Sequence, residues 1–332
     1  MASTVNAAFS KFMKDTVNLD PDIVSAARKS RDNLLSNIAE FSNKDGFFIL
    51  CGQYNVHFGS FSRKTKCREL DDIDLMICIS ANGATYNGSD PWDNITMYAS
   101  NDDSAQISCS RNDGTLNSTS VVNKFKKALE GVREYSRSEI HRNGEAVVLN
   151  LKSKDWSFDV VPCFLTQEEA DGRNYYLIPN GNGNWKKTDP VEDKGHVTAT
   201  NQEKGGLLLD LIRLVKRWNK TRNAGSIPSY LLETMVVYYA DSVSELEQHI
   251  DFRFKSAIKY IADNILASVS DMKGIQEDIN TLPFSRRFAI QATAQADYEK
   301  ACEAWEHEKS RDHENAIKKW GEIFGDEFPE YD

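Results

Sequence analysis

The sequence lacks most of the features that mark secreted, membrane or redox proteins. Its six cysteines are scattered and no CxxC pair occurs, so zinc and redox motifs are not indicated and reduced structural thiols are expected. The longest apolar runs, such as residues 235–240, have five or six residues, which is too short to cross a bilayer. The N-terminus has neither a basic start nor an apolar stretch. No secretory signal and no membrane partner are therefore predicted, and a cytoplasmic location is expected.

Basic residues are also too few for a protein that binds long DNA or RNA. The chain has 40 Lys and Arg against 50 Asp and Glu, a formal charge of −10. Proteins that bind long DNA or RNA usually present a broad basic surface, so no long nucleic acid is predicted as a partner. A nucleotide remains compatible, because one triphosphate needs only a few well-placed cations. The sequence has no GxxxxGK[ST] segment, which argues against a P-loop ATPase.

The composition is that of a soluble protein with a substantial core. The 332 residues are 40% apolar and 27% charged, and hydrophobic periodicity predicts an α+β fold with two lobes. Residues 1–165 are predicted to form a mixed β-sheet lobe and residues 166–332 a helical lobe, with helices near 204–221, 229–248, 251–266 and 287–322. Polar residues dominate 81–119 and 171–201. Both tracts are predicted to be irregular, the first as a surface excursion with one short helix near 92–98.

The most informative motif is a pair of acids on a predicted strand. Asp72 and Asp74 alternate with Ile73 and Leu75, so the two carboxylates should share one strand face about 6.6 Å apart while the aliphatic residues face the core. Two anions about 5 Å apart repel by about 3 kcal/mol at an effective dielectric of about 20. Such a pair is expected either in open water or around a cation such as Mg²⁺, which takes carboxylate and phosphate oxygens.

A third acid and a glycine turn extend this pattern. Asp159 is predicted on the polar face of a strand whose other face carries Trp156, Phe158 and Val160. If this strand lies beside the first, three carboxylates converge, which suits two divalent ions in nucleotidyl transfer. Gly59 and Ser60 precede the acid pair by an eleven-residue spacer, and a tight turn with exposed N–H groups and a hydroxyl can hold phosphate oxygens.

The helical half offers weaker candidates. Lys216 lies on a polar stripe of the predicted helix 204–221, although such a stripe is usually a solvated face. Ser229 follows a proline at a predicted helix start, where serine commonly acts as an N-cap, yet a helix N-terminus also attracts phosphate. Tyr230 is a core or rim aromatic, or a ring placed to stack on a base.

Taken together, these segments resemble the cGAS/DncV-like nucleotidyltransferases (CD-NTases) of the DNA polymerase β-like superfamily. The superfamily signature is hG[GS], a spacer, Dh[DE]h and a later acid on a strand, matched here by residues 59–60, 72–75 and 159. Residues 211–219, 227–233 and 320–329 resemble the helical motifs of the narrower family. The matches run from about residue 55 to 330 and so cover nearly the whole chain.

The resemblance implies a role for each matched residue. Asp72 and Asp74 would hold two Mg²⁺ ions, with Mn²⁺ as an alternative, and Asp159 would hold the catalytic ion and help deprotonate a ribose hydroxyl. Gly59, Ser60, Lys216 and Ser229 would bind the donor triphosphate, and Tyr230 would stack on a base. Residues 1–165 would be the catalytic core and residues 166–332 would complete the nucleotide-binding cleft.

The implied activity is the synthesis of a cyclic di- or trinucleotide second messenger from NTPs, with release of pyrophosphate, in bacterial anti-phage (CBASS) defence. Its partners would be NTP substrates, a downstream effector that senses the product, and a regulatory protein. Two alternatives stay open. The same fold could transfer a nucleotide to an RNA 3′ end, a small molecule or a protein, or it could be an inactive regulatory nucleotide-binding module.

Overall fold

In the computed structural model, which describes residues 2–221 and 227–332, the chain forms one mixed sheet, one short hairpin and a large set of helices. The strands in chain order are β1 Val56–Phe58, β2 Asp72–Cys78, β3 Thr85–Tyr86, β4 Met97–Tyr98, β5 Glu139–Asn143, β6 Ala146–Asn150, β7 Ser157–Leu165, β8 Tyr176–Pro179 and β9 Trp185–Thr188. The helices are α1 Val5–Phe12, α2 Pro21–Ala39, α3 Gly59–Arg63, α4 Ser104–Ile107, α5 Ser118–Glu130, α6 Pro190–Glu203, α7 Leu208–Thr221, α8 Ser229–Ser242, α9 Ile250–Asn264, α10 Phe284–Lys309 and α11 His313–Phe324. A π-helical turn covers Met13–Val17, and 3₁₀ turns cover Glu40–Asn43, Gly52–Tyr54 and Arg133–Tyr135.

The tertiary contacts group the chain into two units. The sheet unit comprises Pro21–Arg63 and Leu70–Lys194, and the helical unit comprises Met1–Asp20, Lys64–Glu69 and Gly195–Asp332. This grouping differs from the predicted boundary at residue 165. The sheet unit continues past it because β8 pairs with β7 and β9 pairs with β8. The first residues belong to the helical unit because Phe9 and Phe12 pack against Phe324 and Phe328.

The sheet is built around two parallel strands. Its order is β1-β2-β7-β6-β5, with β8 and β9 continuing from β7. β2 runs parallel to β7, whereas β1 and β6 are antiparallel to their neighbours. Helix α5 packs on β5, β6 and β7, and its start is capped by the Asn117 side chain, which accepts hydrogen bonds from the Thr119 and Ser120 amides. β2 and β7 therefore run through the interior of the sheet.

The helical unit has its own apolar core. Leu211, Leu214 and Trp218, predicted as one stripe, are buried in α7, and they join a cluster that draws on α1, α8, α9, α10 and α11. The predicted helix 287–322 is two helices, because the chain turns between α10 and α11 at Arg311, whose φ is +63°. Among the described residues, no helix is both long and apolar enough to span a bilayer.

Both tracts predicted to be irregular contain regular structure. The predicted helix near 92–98 is wrong: Met97 and Tyr98 form β4, which pairs with β3. Ile95 is held instead by mutual backbone hydrogen bonds with Trp185, which is fully buried. The second tract holds β8, β9 and most of α6. The strands of these polar segments are ordered by pairing with one another and with β7, which composition does not encode.

Candidate active site

Two neighbouring parallel strands place the three candidate carboxylates on one face of the sheet. In the pairing of β2 with β7, Asp74 lies directly opposite Asp159, and adjacent strands are separated by about 4.8 Å. Asp72 precedes Asp74 by two residues on β2, so its side chain points to the same sheet face. The opposite face is core, since Ile73 is 2% exposed and Phe158 is 0% exposed. The three acids therefore occupy one face at the start of both strands, each partly exposed.

Gly59 lies against the second of these acids. It follows β1, whose last residue, Phe58, is the partner of Asp74 on the other side of β2. The φ angle of Gly59 is +70°, and a Cβ built on it would lie 1.8 Å from Oδ2 of Asp74. No side chain fits in that space. The turn is thus shaped so that backbone alone approaches the carboxylate.

Two side-chain contacts hold the turn after β1, a hydrogen bond and an ion pair. Within α3, the Ser62 hydroxyl donates to the His57 carbonyl at 2.6 Å. Arg63 at its end donates to the Asp193 carboxylate at 2.7 Å, with both side chains at most 10% exposed. Ser60, the other candidate phosphate ligand, is partly exposed in the first turn of α3. These contacts fix the backbone on which Gly59 and Ser60 lie.

The sheet face changes from charged to apolar along its strands. Beyond the acids, Met76 lies opposite Val161 and Cys78 opposite Cys163, and all four belong to one buried cluster. Burial raises the pKa of the Cys163 thiol, so this cysteine is an inert part of the core. All six cysteines are free thiols. The carboxylates consequently stand at the polar end of a face whose remainder has low polarity.

The three carboxylates fit a hard divalent cation whose remaining ligands come from the substrate. Every candidate ligand here is a carboxylate oxygen, the donor type that Mg²⁺ prefers. Over residues 2–221 and 227–332, no three His, Cys, Asp or Glu side chains are gathered closely enough to form a metal site by themselves. Mg²⁺ usually takes one or two carboxylates together with phosphate oxygens and water. The arrangement agrees with a site that a bound triphosphate would complete.

Lys216 and Ser229, the other two candidate triphosphate ligands, lie in the helical unit. The Lys216 ammonium pairs with Glu233 at 2.6 Å, and the two side chains are 9% and 1% exposed. Arg213, on the same stripe of α7, has a structural contact, because its Nε donates to the Asn18 side chain at 2.7 Å. Ser229 is the exposed first residue of α8, and the cap position falls on Pro228 instead. The expected N-cap role of Ser229 is therefore wrong, while its phosphate-binding role stays a prediction.

Tyr230, the candidate base-stacking residue, is held at its hydroxyl end. That hydroxyl donates to Oδ1 of Asp271 at 2.5 Å, and the Lys273 ammonium lies 4.1 Å from the ring centroid. The ring packs partly buried against the core of the helical unit. One ring face is thus covered by a cation, and stacking on a base stays a prediction.

Sequence reasoning missed Glu233 as a candidate in its own right. Within the helical unit its second oxygen accepts a hydrogen bond from the Thr65 hydroxyl at 2.7 Å. The local sequence held a signal that could have found it, because Glu233 is an acid between the apolar pairs Leu231–Leu232 and Met235–Val236. A helix that is apolar on all sides is typically buried, and nine residues of α8 are buried.

The chain is similar to known proteins in both sequence and fold. A sequence family described as the Second Messenger Oligonucleotide or Dinucleotide Synthetase domain (SMODS) matches residues 90–201. A probable cyclic nucleotide synthase from Bacillus cereus (strain VD146) is 39% identical over 337 residues, which cover 100% of both chains.

Solved structures with the same fold are more distant in sequence. CdnC from E. coli MS115-1, in a structure with ATP, is 15% identical with a TM-score of 0.71 and covers 97% of this chain and 98% of that chain. The same protein in complex with HORMA-deltaN gives a TM-score of 0.69 at 15% identity, with 97% of each chain covered. The cyclic AMP-GMP synthase DncV from Vibrio cholerae has a TM-score of 0.58 at 15% identity and covers 83% of this chain and 69% of that chain. These likenesses confirm the predicted α+β fold.

Proposed function

Because the chain belongs to the cyclic nucleotide synthases of the cGAS/DncV-like (CD-NTase) type, we propose that it joins NTPs into a cyclic di- or trinucleotide and releases pyrophosphate at each step. The observation that carries the proposal is the strand register, with Asp74 opposite Asp159 and Asp72 on the same face. Three carboxylates on one face are the donor set for in-line nucleotidyl transfer.

The proposal assigns a role to each candidate side chain. Asp72 and Asp74 would hold two Mg²⁺ ions, or Mn²⁺ in their place, and Asp159 would share one of them and assist removal of the ribose hydroxyl proton. The bound ions would lower the pKa of that hydroxyl and neutralise the charge on the departing pyrophosphate. Gly59 gives the triphosphate an approach to bare backbone, and Ser60 supplies a hydroxyl donor. Lys216 and Ser229 would bind triphosphate oxygens.

The biological setting is part of the proposal. CdnC was solved with a HORMA protein, and a regulatory partner of that kind is proposed for this chain. We further propose that the product signals to an effector in bacterial anti-phage (CBASS) defence, within the cytoplasm.

The test replaces the acid pair without removing volume. Asp72→Asn with Asp74→Asn should lower NTP turnover by more than about 10³-fold, because the two carboxylates would hold the Mg²⁺ ions, whose stabilisation of transition-state charge is worth several kcal/mol. Asp71→Asn is the matched control, since Asp71 is an adjacent exposed acid that precedes β2 and is one residue out of phase. Its turnover should stay near that of the wild type. Circular dichroism and thermal unfolding verify that both variants fold. A double variant with turnover close to the wild type would contradict the assignment.

The products separate this function from its alternatives. The pure protein is incubated with the four NTPs and Mg²⁺ or Mn²⁺, and the products are identified by mass spectrometry. A cyclic oligonucleotide formed from NTPs alone supports the proposal. An enzyme that modifies RNA, a small molecule or a protein would need that acceptor, and an inactive module would bind nucleotide without consuming it.

A further inference from the structure

A buried carboxylate in the helical unit contacts Lys216. Glu233 lies in α8 and its side chain is 1% exposed. One oxygen accepts a hydrogen bond from the Lys216 ammonium at 2.6 Å, and the other accepts from the Thr65 hydroxyl at 2.7 Å. Thr65 is itself 0% exposed. Both oxygens of the carboxylate are thus engaged by donors on two other segments of the chain.

Burying the Glu233 carboxylate costs free energy that its two hydrogen-bond partners must offset. An ionised carboxylate loses its hydration on burial and is tolerated only when it is paired and hydrogen-bonded. A lysine side chain is long and flexible, so its ammonium can lie in many places unless a partner holds it. The hydrogen bond to Glu233 restricts where the Lys216 nitrogen can lie. An ammonium has three N–H donors, so the pair leaves it the capacity to bind a further oxygen ligand.

We propose that Glu233 is the positioning residue for Lys216, holding its ammonium in place for the triphosphate of an NTP. The inference rests on the proposed function, since it takes Lys216 as a triphosphate ligand. Glu233 itself need not touch the nucleotide. A purely structural ion pair would stabilise the helices without affecting nucleotide affinity, so affinity and stability distinguish the two roles.

The experiment uses ATP as the probe and a double-mutant cycle on the full chain. Glu233→Gln keeps the side-chain shape and removes the charge. It should weaken ATP binding measured by calorimetry, and raise the KM for ATP, by about tenfold, with kcat changed by less than about threefold. In a Lys216→Met background the same replacement should change ATP affinity by less than about twofold, because residues that act through one another are not additive.

A second buried carboxylate of the helical unit provides the matched control. Asp297 is 2% exposed and accepts a hydrogen bond from Nε1 of Trp218 at 2.8 Å. Asp297→Asn should lower the melting temperature and leave ATP affinity at the wild-type value. If Lys216→Met alone leaves an unpaired acid and fails to fold, Lys216→Gln replaces it, since its amide can still donate to Glu233.

The outcomes are separable from those of the proposed function. Equal losses of ATP affinity for Glu233→Gln in both backgrounds, or unchanged affinity in the wild-type background, would overturn the positioning role. A wild-type protein that binds ATP but makes no cyclic product would refute the proposed function. In that case the calorimetric cycle would still decide whether Glu233 acts through Lys216.

Discussion

Replacing Gly59 by alanine is expected to disable NTP turnover without unfolding the sheet unit. The new Cβ would lie 1.8 Å from Oδ2, 2.6 Å from Cγ and 3.1 Å from Cβ of Asp74. The clash reaches the base of the side chain, so rotating the carboxylate alone does not relieve it. Either Asp74 must leave its rotamer or the turn must retreat from β2.

Two contributions set the size of the effect. The left-handed backbone at φ +70° costs a non-glycine residue about 1–2 kcal/mol, which reduces stability but does not abolish folding. The displacement acts on catalysis, because a misplacement of about 1 Å in a reacting geometry can cost about 10²-fold in rate. We therefore expect turnover to fall by about 10²-fold or more, with a loss of only a few degrees in melting temperature.

Gly46 provides the control that separates strain from collision. Its φ is +68°, and an added Cβ would meet no heavy atom within 4 Å. Gly46→Ala should therefore lower the melting temperature through strain alone, by no more than Gly59→Ala does, and keep full turnover. Pyrophosphate release from NTPs measures turnover, and calorimetry measures unfolding. If Gly59→Ala retains turnover within about threefold of Gly46→Ala, the close approach of Gly59 to Asp74 does not contribute to catalysis and the reasoning is refuted.

Two further predictions concern stability. Burial raises the pKa of Asp251 in the folded protein, so its ionised form opposes folding at neutral pH. Asp251→Asn should raise the melting temperature at pH 7. The gain should shrink as the pH falls through the raised pKa of the folded state, where the folded wild-type carboxyl takes up its proton first, and it should vanish below the unfolded value of 3.8. A gain that does not vary with pH would contradict this. Trp185→Phe should lower the unfolding free energy in urea by about 2 kcal/mol, because Nε1 of Trp185 donates to the Leu116 carbonyl at 2.9 Å. A loss below about 0.5 kcal/mol would contradict the reasoning.

Much of the site geometry could be predicted from local periodicity. Strand side chains alternate with a period of two, so the placement of Asp72 and Asp74 on one face followed from the sequence once the strand was recognised. The same rule separated Asp159 from Phe158. What periodicity cannot supply is register. β2 and β7 are separated by 78 residues of chain, and the pairing of Asp74 with Asp159 depends on how those residues pack.

The wrong secondary-structure predictions concern segments that are polar in composition but packed in the structure. Residues 81–119 are rich in Asn, Asp, Ser and Gly, which is typical of loops. Yet Met97 is 3% exposed and Leu116 is 1% exposed. A few apolar residues at separated positions fix such a segment against the sheet, while its many polar side chains bond to their own turns, as Asp90 does to the Thr96 amide at 2.8 Å. Composition averages over the segment and therefore misses the few residues that decide its structure.

The location of the candidate active site follows from a change in burial along one sheet face, from partly exposed acids to buried apolar residues. From Met76 onward that face of β2 is buried among apolar neighbours, including Val161 of β7, so a charge there would be strongly disfavoured. At the start of both strands the face is partly exposed, and water or a cation can offset the mutual repulsion of the acids. Because the strands are parallel, their polar starts lie at the same sheet edge. With the same overlap of the two strands, antiparallel pairing would put Asp159 near the other end of β2, so the parallel direction of β7 is what places it beside Asp74 in this register.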